Sequence, residues 1–229
     1  MNLLSFDTST EFLSLALQLD DKTSTHTQQA GTSASEHILP QIQALLDSAN
    51  VKLSDLEGIA FGAGPGSFTG VRIACGVAQG LGFGANLPVV GVNTLMALAE
   101  ASGEDKVIAC LDARMGEIYH AAFERKNNEW VEICATKVCK PEATPMLVGG
   151  AWFGVGSGWA VYGEVLNKVY SENLSKIFAN ITPTAEAILQ LAKPIFLAGL
   201  AKPASEAAPI YIRNRVALTS KEREQGQRL

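Results

Sequence analysis

Apolar residues at Leu13, Leu15, Leu17 and Leu19 alternate with Ser14, Ala16 and Gln18. A period of two predicts a strand with one leucine face. The apolar run Leu3–Phe6 ahead of it ends at a polar turn, Asp7-Thr8-Ser9-Thr10, so the two read as a hairpin. Residues 23–30 are polar and threonine-rich, which suits a third, edge strand. The period then changes. Ile38, Leu39, Ile42, Leu45, Leu46 and Ala49 form one stripe at helical spacing behind a cap at Ser35, with a late start or a kink expected at Pro40. A strand over 58–61, a helix over 68–83, a strand over 89–92 and a helix over 95–101 capped by Thr94 complete the first half.

Three antiparallel strands, helix, strand, helix, strand, helix is the order of a ribonuclease-H-like α/β domain with a mixed sheet. After a polar boundary at 102–105 the opening recurs. Val107–Leu111 ends at Asp112 as Leu3–Phe6 ends at Asp7, and strands over 117–123 and 130–133 follow. The pattern predicts two tandem units, 1–102 and 103–216, the second partly degenerate, with a basic tail at 217–229. Beyond Pro141 only helices over 162–170 and 184–192 stand out.

The strand over 58–61 runs into Gly62-Ala63-Gly64-Pro65-Gly66-Ser67-Phe68-Thr69-Gly70-Val71-Arg72. Such a turn either cradles a phosphate at a helix N-terminus or packs the helix tightly on its strand. No lysine follows to complete a P-loop, which favours packing. The 229 residues are 47% hydrophobic and carry a net charge of −5, which suits a globular chain and disfavours binding nucleic acid alone. Cys75, Cys110, Cys134 and Cys139 fit no zinc spacing, and with no signal-like N-terminus they read as reduced thiols of a cytoplasmic protein. No apolar stretch is long enough to span a membrane.

The chain resembles the TsaB (YeaZ) family and its paralogue TsaD. The matching stretches are Asp7-Thr8-Ser9-Thr10, Ser35-Glu36-His37-Ile38-Leu39-Pro40, the run Gly64–Ile73, Pro88–Val92, Asp112-Ala113-Arg114 with Gly116–Tyr119, and Tyr211-Ile212-Arg213-Asn214. The resemblance implies two domains of the actin/Hsp70/sugar-kinase (ASKHA) type. It also implies a role in threonylcarbamoyladenosine synthesis beside the tRNA anticodon. TsaD carries a metal-binding His-x-x-x-His on its first helix; here His37 is followed by Gln41. One imidazole cannot hold a catalytic metal, so the likeness points to TsaB. That is a non-catalytic scaffold and activator of a TsaD-like paralogue, alongside a TsaE-like ATPase. It meets tRNA only through the complex, binds no cofactor tightly, leaves ATP to the complex, and pairs with itself when alone. A metalloprotease lacks the residues to activate water.

An ASKHA-type nucleotide enzyme is the alternative, with Asp7, Thr8, Ser9 and Asp112 lining a cleft between the units. Gly76, Gly80 and Gly84 recur on one side of the second helix. Each costs a helix about 1 kcal/mol relative to alanine. Close approach of a partner helix would offset that, and Gly76, Gly80, Gly84, Ile38, Ile42 and Leu45 are the expected interface. The charge balance yields a first prediction. The isolated chain binds tRNA weakly, loses it at modest salt, and binds less after deletion of 217–229. Tight, salt-resistant binding in a filter assay contradicts this.

Overall fold

The computed structural model describes residues 1–213; Asn214 and the basic tail at 217–229 lie outside the described residues. Strands β1 (Leu3–Asp7), β2 (Phe12–Leu19), β3 (Lys22–Gln29), β4 (Gly58–Gly64) and β5 (Val89–Asn93) form one sheet in the order β3-β2-β1-β4-β5. Strands β6 (Lys106–Arg114), β7 (Glu117–Lys126), β8 (Glu129–Cys139), β9 (Trp152–Val155) and β10 (Leu174–Phe178) form a second, ordered β10-β9-β6-β7-β8. In both sheets the first strand of the half pairs antiparallel with the second and parallel with the fourth, and the fourth pairs parallel with the fifth. The duplication expected over three strands therefore extends to all five, and the fold is the mixed-sheet α/β architecture that the element order predicts.

Helices α1 (Ala34–Ser48) and α2 (Phe68–Ala85) cover the outer face of the first sheet. Ile38, Ile42 and Leu46 of α1 and Ala74, Cys75 and Ala78 of α2 pack there on Leu13, Leu15, Leu17, Ile59 and Phe61. Helix α4 (Ser157–Tyr170) covers the outer face of the second sheet with Trp159, Leu166 and Tyr170. Between the sheets lie α3 (Thr94–Ser102) and α5 (Ala185–Leu197). Leu95 and Leu98 of α3 pack with Val107, Ala109 and Phe123 of the second sheet. Ala97 on the same helix packs with Ala60, Val90 and Val92 of the first. One short helix is thus core to both halves.

Several expectations change. Pro40 neither delays nor ends α1. The helix begins at Ala34, before Ser35, and runs on through the proline. Glu36, whose carbonyl the proline nitrogen cannot satisfy, is on the exposed side, where water can take that bond. Asn93 rather than Thr94 caps α3, its Oδ1 accepting from the amides of Leu95 and Met96 at 2.8 and 3.3 Å. The Thr94 hydroxyl accepts instead from the Gly64 amide at 3.1 Å. Strands β9 and β10 were not expected, and α4 starts five residues early. Residues 185–210, placed by sequence in the second unit, lie on the first. The inner face of the first sheet presents Leu3, Ala16, Ala60 and Val90, and α5 covers it with Ala185, Ile188, Leu189 and Ala192. The chain then passes the sheet edge, where Val89 and Lys202 exchange amide–carbonyl bonds of 2.7 and 3.0 Å.

A shared core predicts joint unfolding. Leu15 is fully buried in the first half, and Trp130, Trp152 and Trp159 all lie in the second. Leu15→Ala costs about 2–5 kcal/mol and lowers the tryptophan-fluorescence midpoint as much as the far-UV dichroism midpoint. A fluorescence transition left at its wild-type position contradicts the shared core.

Candidate functional site

Two features of the surface are candidates: a cleft between the halves and the outer face of α2. The cleft has a volume of about 540 Å³. Its walls come from the β1–β2 turn, the start of α2, the β6–β7 hairpin and residues 210–213. Of the four expected nucleotide residues, Ser9 and Asp112 line it and Asp7 and Thr8 do not.

Asp7 is turned into the protein. Its Oδ1 accepts from the Ser9 amide at 3.0 Å and the Ser9 hydroxyl at 2.8 Å. Its Oδ2 lies against Gly62, so close that a Cβ there would overlap it, and has no hydrogen-bond partner among the described residues. Burial raises this carboxyl to about 6, only partly countered by the Ser9 bonds. The Thr8 hydroxyl donates to the Gly70 carbonyl at 2.7 Å. The glycine-rich turn takes its packing role. A Cβ on Gly66 would sit 2.5 Å from the Ser9 carbonyl oxygen, and one on Gly70 would strike the Thr8 carbonyl. The Ser67 amide donates to the Ser9 carbonyl at 2.7 Å, and the Ser67 hydroxyl caps the helix by accepting from Gly70 at 3.3 Å. The chain's own β1–β2 turn thus packs against the glycines of this turn and takes the Ser67 amide at the head of the helix.

Asp112 holds its own hairpin. Its Oδ1 accepts from the Arg114 amide at 2.9 Å, and its Oδ2 pairs with the Arg114 guanidinium at 3.1 Å. Arg213 pairs with Glu117 at 2.6 Å. Two of the cleft's cations are thus matched by neighbouring acids. Among the described residues no group of three or more His, Cys, Asp or Glu is placed to hold a metal ion. His37 is exposed on α1 and Gln41 is half-buried. His120 is fully buried. Its Nε2 is 2.9 Å from the Tyr170 hydroxyl, which donates to the Pro145 carbonyl at 3.0 Å. Burial, then nearby Lys137, lowers His120 to about 4, so it is a neutral core residue at pH 7.

The expected interface residues divide. Ile38 and Ile42 are core, at 1% and 3% exposure, because the apolar stripe of α1 faces its own sheet. Leu45 is half-buried against the same cluster. Gly76, Gly80 and Gly84 are exposed, and a Cβ on any of them would meet nothing within 4 Å. The glycines therefore leave a bare helix face. Sequence reasoning missed two exposed apolar residues on the same pair of helices. Phe83 on α2 is 84% exposed and Leu39 on α1 is 50% exposed. At about 100° per residue Arg72, Gly76, Gly80 and Phe83 fall within a sector of about 80°. A lone phenylalanine among glycines was the available signal.

The Asp7 carboxyl gives a pH prediction. A folded value near 6 against an ordinary 3.8 means the native state holds a proton that the unfolded chain releases between those values. The cost of the buried charge is absent below about pH 4, grows from 4 to 6, and is complete above. Asp7→Asn removes this dependence. In urea melts the variant gains about 2 kcal/mol on the wild type between pH 4 and pH 7, on top of a constant offset from the amide. A difference that stays flat across this range contradicts the assignment.

Residues 22–220 match the model of a family described as TsaD, tRNA N6-adenosine threonylcarbamoyltransferase. The chain is 37% identical over 225 residues to the tRNA threonylcarbamoyladenosine biosynthesis protein TsaB of Escherichia coli (strain K12), covering 95% of this chain and 96% of the relative. It is 38% identical to the TsaB of Haemophilus influenzae, covering 94% and 95%. The solved structure of YeaZ from Pseudomonas aeruginosa superposes with a TM-score of 0.84 at 38% identity, over 92% of this chain and 99% of that one. With its doubled sheet and this similarity over nearly its whole length, the chain belongs to the TsaB family, within the wider TsaD family whose model it matches.

Proposed function

We propose that the chain is a non-catalytic subunit that pairs with a TsaD-type paralogue for threonylcarbamoyl transfer to the adenosine beside the tRNA anticodon. The observation that carries this is the bare face of α2. Three exposed glycines at four-residue spacing, each with open space where a side chain would be, cost helix stability with no gain inside the monomer. Close approach of another helix offsets that cost, as small-residue faces permit. Phe83 on the same helix and Leu39 on α1 are exposed and offer apolar area for a buried contact centre. The roles of Asp7 and Thr8 in packing, and Gln41 in place of a second histidine, support assigning the chemistry to the partner. On this reading ATP is used by the complex with a TsaE-type ATPase. In the partner's absence a second copy of this chain takes the same face. None of the described helices is long and apolar enough to cross a membrane, which agrees with a cytoplasmic place of action.

The direct test is reconstitution from ATP, threonine, bicarbonate and tRNA, with the TsaD-type paralogue and TsaE-type ATPase, with and without this chain. Modified adenosine is expected only with both paralogues. Turnover by this chain alone overturns the reading. Gly80→Leu tests the face itself. A Cβ there has nothing within 4 Å beyond its own stretch of helix, and exchanging glycine for leucine raises helix propensity by up to about 1 kcal/mol. The melting temperature therefore holds or rises while co-elution with the paralogue in gel filtration is lost. A variant that binds normally but melts early rejects the assignment.

A further inference from the structure

The end of the described chain does more than close the cleft. After α5 and the Val89–Lys202 bridge, residues 203–213 run as a strap along α2 and across to the second half. The Gln79 side chain donates to the Ala207 carbonyl at 2.9 Å. The Ile210 amide donates to the Ala63 carbonyl at 2.7 Å. Arg213 reaches Glu117 and the sulfur of Met115 on the β6–β7 hairpin. Between these anchors Tyr211 meets Arg72. Its hydroxyl accepts from Arg72 Nε at 2.7 Å. The guanidinium carbon lies 3.6 Å from the Phe68 ring centroid and 5.4 Å from that of Tyr211. The two rings are 6.4 Å apart.

Arg72 is an exposed cation held by two aromatic faces and one hydrogen bond. Its Nε is occupied, and its two Nη groups make no hydrogen bond among the described residues. The fork is left as a pair of donors in a fixed plane, the arrangement that matches a carboxylate bidentately. Holding the side chain in advance removes entropy that a free arginine would lose on binding. Arg72 also stands on the bare face: it is one turn before Gly76 and about 16 Å along the helix from Phe83. We propose that Arg72, posed by Phe68 and Tyr211, is a specificity determinant of the docking face and receives an Asp or Glu side chain of the TsaD-type paralogue. Tyr211 is its positioning residue, so the strap forms one bank of the docking face. This rests on the pairing proposed above. A carboxylate is favoured over an RNA phosphate because Arg72 continues an apolar helix-docking stripe on a chain of net charge −5.

The test is a double-mutant cycle on the full chain, titrated by calorimetry with the TsaD-type paralogue of the same organism, with a melt of each variant. Arg72→Ala weakens binding roughly 30-fold or more, and Arg72→Lys, which keeps the charge and loses the fork, stays weak. Tyr211→Phe weakens it roughly 3- to 10-fold and has no further effect once Arg72 is alanine. Melting temperatures stay near wild type. Three results overturn the inference. Arg72→Ala binding like the wild type is one. A Tyr211→Phe effect that persists in the Arg72→Ala background is another, since it leaves Tyr211 a structural role alone. The third is unchanged paralogue affinity with weakened tRNA binding by the assembled complex, which assigns Arg72 to RNA. Failure of the wild type to bind the paralogue sinks the pairing itself, whereas a wild type that binds beside an unaffected Arg72→Ala sinks only this residue's role.

Discussion

The structure depends on α3 having no outside. Thr94, Leu95, Ala97, Leu98 and Ala99 are each fully buried, some against the first sheet and some against the second. A nine-residue helix is marginal alone, so its stability comes from the two sheets that enclose it. In return it joins them more firmly than a linker would, because separating the halves exposes apolar surface on both. Enzymes that close over a nucleotide by moving domains need an interface that gives way. Here the interface is core. The cleft lies between two halves that share an interior helix, and Asn93 at the head of α3 donates to Thr136 of the second half at 2.9 Å.

The first half was legible because each element carries its own period. The leucine alternation of β2 and the stripe of α1 name both element and buried face. That same stripe misled the interface assignment. Ile38 and Ile42 are apolar because they face the sheet, whereas Leu39, counted in the same stripe, falls at its edge and is half exposed. The second half was less legible because β9 and β10 are four and five residues long, too short for alternation to show. Gly154 in β9 is there for the Trp159 ring, which a Cβ would strike at 2.5 Å, and sequence alone reads that glycine as a loop. The return of α5 to the first sheet could not be read locally. It is decided by which apolar face lacks cover.

The candidate site shows the same division. The glycine-rich turn was open to two readings, and the Ser9 and Thr8 carbonyls favour packing by lying where side chains on Gly66 and Gly70 would be. Asp7 and Asp112 occupy matching positions in the two halves and have diverged. One is sealed against Gly62 with a raised value. The other, near the surface, is tied to Arg114. The stack of Phe68, Arg72 and Tyr211 joins residues 139 positions apart, a pairing visible only when the chain is folded.

The two halves are alike in strand order and unlike in what covers them. Where the first half places α1 between its third and fourth strands, the second has a 3₁₀ turn at Pro141–Ala143 and extended chain before β9. Its counterpart of α2, α4, shows no stripe of exposed glycines but Val161, Glu164, Val165 and Lys168. A chain with two equivalent faces would have a valence of two and would link end to end into open strings. With the helix pair present in the first half only, the pairing proposed above has a valence of one, and growth through that face stops at the pair.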